Sequence, residues 1–105
     1  MRAVIWLDGV GVELTPLGRG EYPWLASISS LLLGAHAGHL DGVAVGMSPS
    51  VEVALDNDER QAYALLGQCL RSRADVYYPG DDDLVLSGIV QGIALGRMMK
   101  LTIEA

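Results

Sequence analysis

Residues Pro49–Arg60, "PSVEVALDNDER", hold the change of period on which the fold turns. Val51, Val53 and Leu55 alternate with Glu52 and Ala54, the period of two that marks a half-buried strand. The alternation stops at Asp56. From Glu59 to Arg71 the apolar residues Ala62, Leu65, Leu66, Cys69 and Leu70 recur at helical spacing. A strand therefore passes directly into one short α-helix over about residues 59–71, with Asp58 as N-cap and Glu59 in the first turn. Gly67 weakens that helix by roughly 1 kcal/mol relative to alanine and keeps it short.

Downstream the pattern is extended. "ADVYY" (Ala74–Tyr78) reads as a strand and "PGDDD" (Pro79–Asp83) as a turn. "LVLSGIVQGIAL" (Leu84–Leu95) reads as a long strand, Gly96-Arg97 as a tight turn and "MMKLTIEA" as a last strand. In that last strand Met98, Lys100, Thr102 and Glu104 form a solvent face, and Met99, Leu101, Ile103 and Ala105 a core face. Gly88 and Gly92 imply a bulge or sharp bend in the long strand. Upstream, Val4–Leu7 and Val10–Leu14 flank Asp8-Gly9, a strong hairpin dipeptide. Thr15–Pro23, with two prolines and two glycines, reads as a surface loop. "WLASISSLLL" (Trp24–Leu33) fits strand or helix, its serines favouring a strand, and "GAHAGHLDG" (residues 34–42) is expected to be a flexible loop. After it, "VAVGMSPSVEVAL" resumes extended character with a break at Ser48-Pro49. The fold class that follows is mainly β: an antiparallel β-sandwich or partly open barrel with one short helix, in a single domain spanning 1–105.

Composition narrows the functional classes. The chain has 105 residues, half of them apolar, and a mean hydropathy of +0.31. A domain this small has too much surface per unit volume to hide that much apolar area inside itself, so association with other subunits is expected. The net charge of −6 and the seven scattered basic residues lack the cationic stripe that phosphate neutralisation needs, which argues against nucleic-acid binding. A lone Cys69 excludes an internal disulfide and any multi-cysteine metal or iron–sulfur site. Ala3–Leu7 is too short for a signal-peptide core, and the apolar tract Trp24–Met47 carries two histidines, Asp41 and four glycines, so no membrane insertion is expected. Synthesis in the cytoplasm as a soluble protein follows as the expectation.

Three groups of residues invite a chemical reading. The acidic run Asp56/Asn57/Asp58/Glu59 lacks the alternate spacing, central glycine and distant glutamate of a calcium loop, and is accounted for by strand exit and helix capping. Asp81, Asp82 and Asp83 read as a solvated turn. His36 and His39 with Asp41 are the candidate ligands of a transition metal, but their glycine-rich setting lacks the glutamate of an HExxH helix. Loop polarity or inter-subunit contact is the preferred reading for them. Cys69 falls on the apolar face of the helix, where a thiol is inert, and no serine lies in a nucleophile elbow. No catalytic residue and no cofactor is expected.

Residues Ser48–Ala105 carry a resemblance. "PSVEVALDN" (Pro49–Asn57), the strand around Leu86–Val90 and the closing "LTIE" (Leu101–Glu104) resemble the strands of small β-rich tail-tip proteins of tailed bacteriophages, the distal-tail and baseplate-hub type. Larger hub relatives with cysteine-ligated iron–sulfur clusters are not matched, because Cys69 stands alone. The resemblance implies a virion structural protein of the tail tip or baseplate. Such a protein forms a ring or hub between tail tube and tip, with copies of itself and other tail proteins as partners. Trp24, Leu25, Ile28, Leu31, Leu32, Leu33, Ile89 and Ile93 are the expected subunit-interface residues. The alternative, from a different class, is a small metal- or ligand-binding β-barrel enzyme built on the His36/His39/Asp41 loop.

Overall fold

Among the described residues eight strands and one helix follow each other: β1 (Arg2–Leu7), β2 (Val10–Pro16), β3 (Tyr22–Ile28), β4 (Leu32–Leu33), β5 (Pro49–Asp56), α1 (Gln61–Leu66), β6 (Arg73–Tyr77), β7 (Leu84–Ala94) and β8 (Met98–Glu104). The computed structural model describes residues 1–29, 32–33, 49–57 and 60–105. The sheet order is β3-β2-β1-β6-β7-β8-β5-β4, and a further pairing of β3 with β5 joins its two sides. The mainly-β expectation holds, and the sheet goes beyond a partly open barrel: it closes into a ring of seven strands, with β4 continuing the line of β3 along the start of β5.

Closure with seven strands has a topological consequence. Strands of alternating direction close only in even number, so an odd ring must contain a parallel pair, and here it is β2 with β3. Parallel neighbours ordinarily need a long crossover. These two overlap only from Leu14↔Tyr22 to Pro16↔Leu25, so the chain has merely to step back through residues 17–21. That step is a β-turn in which the Arg19 amide donates to the Pro16 carbonyl at 3.2 Å, with Gly18 at φ +91° in the third position where a type II turn needs a positive angle. The Thr15 hydroxyl donates to the Arg19 carbonyl beneath it. The loop expected over Thr15–Pro23 is thus shorter, because strand pairing extends over Thr15 and Pro16 and resumes at Tyr22.

Other signals behave as read. Asp8 (φ 51°) and Gly9 (φ 83°) both take positive angles between the paired Leu7 and Val10, the geometry of a type I′ hairpin. In β8, Met99, Leu101 and Ile103 are fully buried and Lys100 is exposed, whereas Ala105, placed on the core face, is exposed because the strand ends at Glu104. The register of β7 against β8 shifts between Val90 and Gly92, the bulge its glycines imply.

The helix is shorter than expected and starts later. It spans Gln61–Leu66, its N-cap is Arg60 in the left-handed region (φ 59°) without a side-chain cap, and Asn57 Oδ1 accepts from the Tyr63 amide at 3.0 Å. Asp58 and Glu59 lie outside the described residues. Gly67 ends the helix against the Tyr63 ring, which leaves no room for a Cβ there, and Arg71 turns the chain with φ 73°. Ala62, Leu66 and Cys69 are fully buried and Leu65 packs against the core, so the helix plugs the end of the barrel where β5 finishes and β6 begins. Leu70, assigned to the same apolar face, is half exposed because the helix stops before reaching it.

The barrel interior is filled by side chains from every strand of the ring, among them Ile5, Leu14, Val53, Leu55, Val76, Val90, Met99 and Leu101. That is the outcome expected for a ring of this size, whose bore is about as wide as its inward side chains are long.

Candidate interaction surfaces

With a packed interior, the groups free to act lie on the outside and at the two ends. On the outer face of β1, β6 and β7 sits Asp75, only 7% exposed. Trp6 Nε1 donates to its Oδ2 at 3.0 Å, the Ser87 hydroxyl to its Oδ1, and Arg73 Nη2 lies 3.7 Å from Oδ1. Burial alone would raise the Asp75 carboxyl pKa; the hydrogen bonds from Ser87 and Trp6 and the Arg73 charge outweigh it and hold it below the ordinary value. Trp6 lies over Gly11, where a Cβ would stand 3.2 Å from the indole Cζ3. One side of the indole is therefore seated and its N–H engaged, while 38% of the residue remains exposed; Arg73, also at Asp75, pairs on β6 with the exposed Ile89 of β7. A fixed tryptophan and an arginine are among the residue types that carry most of the binding energy at protein interfaces.

At the end of the barrel opposite the helix, the turn after β6 meets the turn between β2 and β3. Asp81 pairs with Arg19 and with the Met1 ammonium, at 2.9 Å to the latter, while Arg2 Nε donates to the Asp81 carbonyl at 2.7 Å. Arg2 also stacks over the Tyr77 ring at 4.1 Å and reaches Glu13. Hydrogen bonds from Arg19 and from the Met1 ammonium bring the Asp81 carboxyl down to a pKa of about 2. Asp83 is occupied locally, accepting from the Gly80 amide at 2.9 Å. These acidic residues close a turn.

Asp56 ends β5 at the helix end, opposite Met98, whereas Asp81 lies beyond β6 at the far end. Strands of the length of β8 separate the two by roughly 20 Å. The two acidic knots therefore do not combine, and among the described residues no three His, Cys, Asp or Glu side chains cluster as a metal site. His36, His39 and Asp41 lie outside the described residues, as does Leu31 and the loop 34–42. Cys69 is fully buried in the plug, and burial pushes its thiol up to about 11. At the helix end an open cleft of about 470 Å³ is lined by Asn57, Arg60, Tyr63, Leu95 and Gly96.

The expected interface residues divide. Leu25 and Ile28 are 3% and 6% exposed and belong to the interior, because the register shift between Leu25 and Ser27 turns both inward against β5. Trp24 and Ile93 are half-buried and pack on the core. Ile89 is 43% exposed on the outer face. Leu32 and Leu33 pair as β4 with Pro49 and Ser50. Sequence reasoning missed Trp6, Arg73 and Asp75, which meet only through strand register; the sole hint was a charged residue inside the short strand "ADVYY".

Comparison with protein-family models, with curated proteins and with solved structures gives no match. Among the described residues no helix is long and apolar enough to cross a membrane.

Proposed function

We propose that this chain is a structural subunit of the tail tip of a tailed bacteriophage, assembling with copies of itself and with other tail proteins into a ring or hub and acting without catalysis. The observation that supports this reading is the contrast between interior and exterior. The barrel is filled by its own side chains, while Trp6, Ile89, Leu84, Leu95 and Leu17 remain exposed on the outside. A small β-barrel of this kind works through its surface, and the strand patterns of Pro49–Asn57 and Leu101–Glu104 are those that resemble tail-tip subunits. Loops that order on a neighbour, and a ring that closes on itself, make up for weak individual contacts. The protein would then be made in the host cytoplasm and reside in the virion.

The test is the composition of particles. Mass spectrometry of purified virions encoded with this gene should find the chain at a stoichiometry of several copies per particle, and gold-labelled antibody should mark the tail tip. Particles of normal morphology that lack the chain would overturn the reading.

A further inference from the structure

We propose that two copies of this chain pair face to face through the outer surface of β7, about a two-fold axis running along that strand at Ile89. The proposal deepens the assembly reading and rests on its premise of self-association. Strand register lays three outward residues in one row across three strands: Arg73 on β6 pairs with Ile89 on β7, and Ile89 pairs with Glu104 on β8. The row reads cation, apolar, anion.

A two-fold axis lying in the contact plane along β7 reverses the row in the partner. Arg73 of each copy then faces Glu104 of the other, and the two Ile89 side chains meet on the axis. An axis perpendicular to the strands would instead set Arg73 against Arg73, so charge selects the first arrangement. Both charged groups are available. The Arg73 side chain is 67% exposed and its one ion pair, with Asp75, is long at 3.7 Å, while Asp75 already accepts from Trp6 and Ser87. Glu104 makes no side-chain hydrogen bond or ion pair among the described residues.

The shape is self-complementary too. Beside Ile89 lies an open groove of about 370 Å³, lined by Arg73, Ser87, Gly88, Ile89 and Ala105, into which a side chain from the opposite copy fits. A barrel face is convex, so the contact stays below the roughly 800 Å² per partner of a standard interface, and the pair should dissociate on dilution.

Light scattering across a concentration series tests this, with the 11.2 kDa monomer mass as reference. The mass should rise toward twice that value at high concentration. Ile89→Asp and Arg73→Glu should each weaken the pair about tenfold or more, and Arg73→Glu combined with Glu104→Arg should restore it. Ile89→Cys should be joined into a dimer by a short bis-maleimide crosslinker, since facing sheets hold the two backbones about 10 Å apart and Cys69 is buried. Thermal melts establish that each variant is folded. A monomer at every concentration, failure of the charge swap to restore pairing, or an Ile89→Cys chain that stays unlinked would overturn the proposal. None of these results touches the composition of virions, so the two readings fail separately.

Discussion

Gly88 and Gly92 lie on the same strand, and the same substitution at each is expected to have opposite effects. A Cβ at Gly88 would collide with the Glu104 carbonyl oxygen, and would stand 2.6 Å from that carbonyl carbon and 2.9 Å from the Ala105 nitrogen. Two carbon atoms at optimal contact stand about 3.5 Å apart, so the end of β8 must move by about 1 Å. That end is tied by the Ala105 amide, which donates to the Pro49 carbonyl at 3.0 Å, and by the pairing of Glu104 with Ser50. Loosening one such bond costs about 1 kcal/mol, and the overpacking adds about 1–3 kcal/mol, for a total of about 2–4 kcal/mol. At Gly92 the nearest atom to a Cβ is Thr102 Cβ at 3.7 Å, an ordinary contact. Alanine there should be neutral or stabilise by up to about 1 kcal/mol through reduced chain entropy in the unfolded state. Thermal unfolding followed by circular dichroism, at one fixed protein concentration, should place Gly88→Ala about 10–25 °C below the parent. Gly92→Ala should melt at or above it. Equal melting temperatures for the two variants would refute the close crossing of β7 and β8.

Further predictions follow from the two polar clusters and the plug. Asp81 is ionised in both folded and unfolded chains above the ordinary value of 3.8, so its contribution is complete there. As pH falls the unfolded chain takes up the proton first, and the stabilisation is lost between 3.8 and about 2, where the folded carboxyl titrates. Urea titrations across that range should show a flatter pH dependence for Asp81→Asn than for the parent. Trp6→Phe keeps the ring over Gly11 but removes the donor to Asp75, and should lower the unfolding free energy by about 1–2 kcal/mol in the same assay. Cys69 should resist a thiol reagent at pH 8 in the folded protein and react once urea unfolds it, since burial holds its thiol up to about 11. Stoichiometric zinc or another divalent metal bound by the purified protein and lost in a His36→Ala/His39→Ala double variant would favour the metalloenzyme alternative; none is expected.

Local chemistry decided much of this protein before any long-range contact was considered. The alternation in Met98–Glu104, the Asp8-Gly9 hairpin and the helical period after Asp56 each depend on residues near one another in the chain, and each appears in the fold. The limits of the helix were less legible, because Gly67 meeting the Tyr63 ring and the left-handed Arg60 depend on how the chain leaves β5. Closure of the barrel was not legible at all. It depends on β3 running parallel to β2 while pairing with β5 on its other edge, a choice made between residues far apart in sequence. The same register turns Leu25 and Ile28 inward, although their apolar character alone suits an interface equally well. It also gathers Trp6, Asp75 and Ser87 from three strands into one network, and lines up Arg73, Ile89 and Glu104 in one row. Sequence by itself determined which segments extend and which coil, since backbone preference and apolar period are local. Tertiary structure alone decided which faces meet, because strand order and register are settled by the mutual burial of distant side chains.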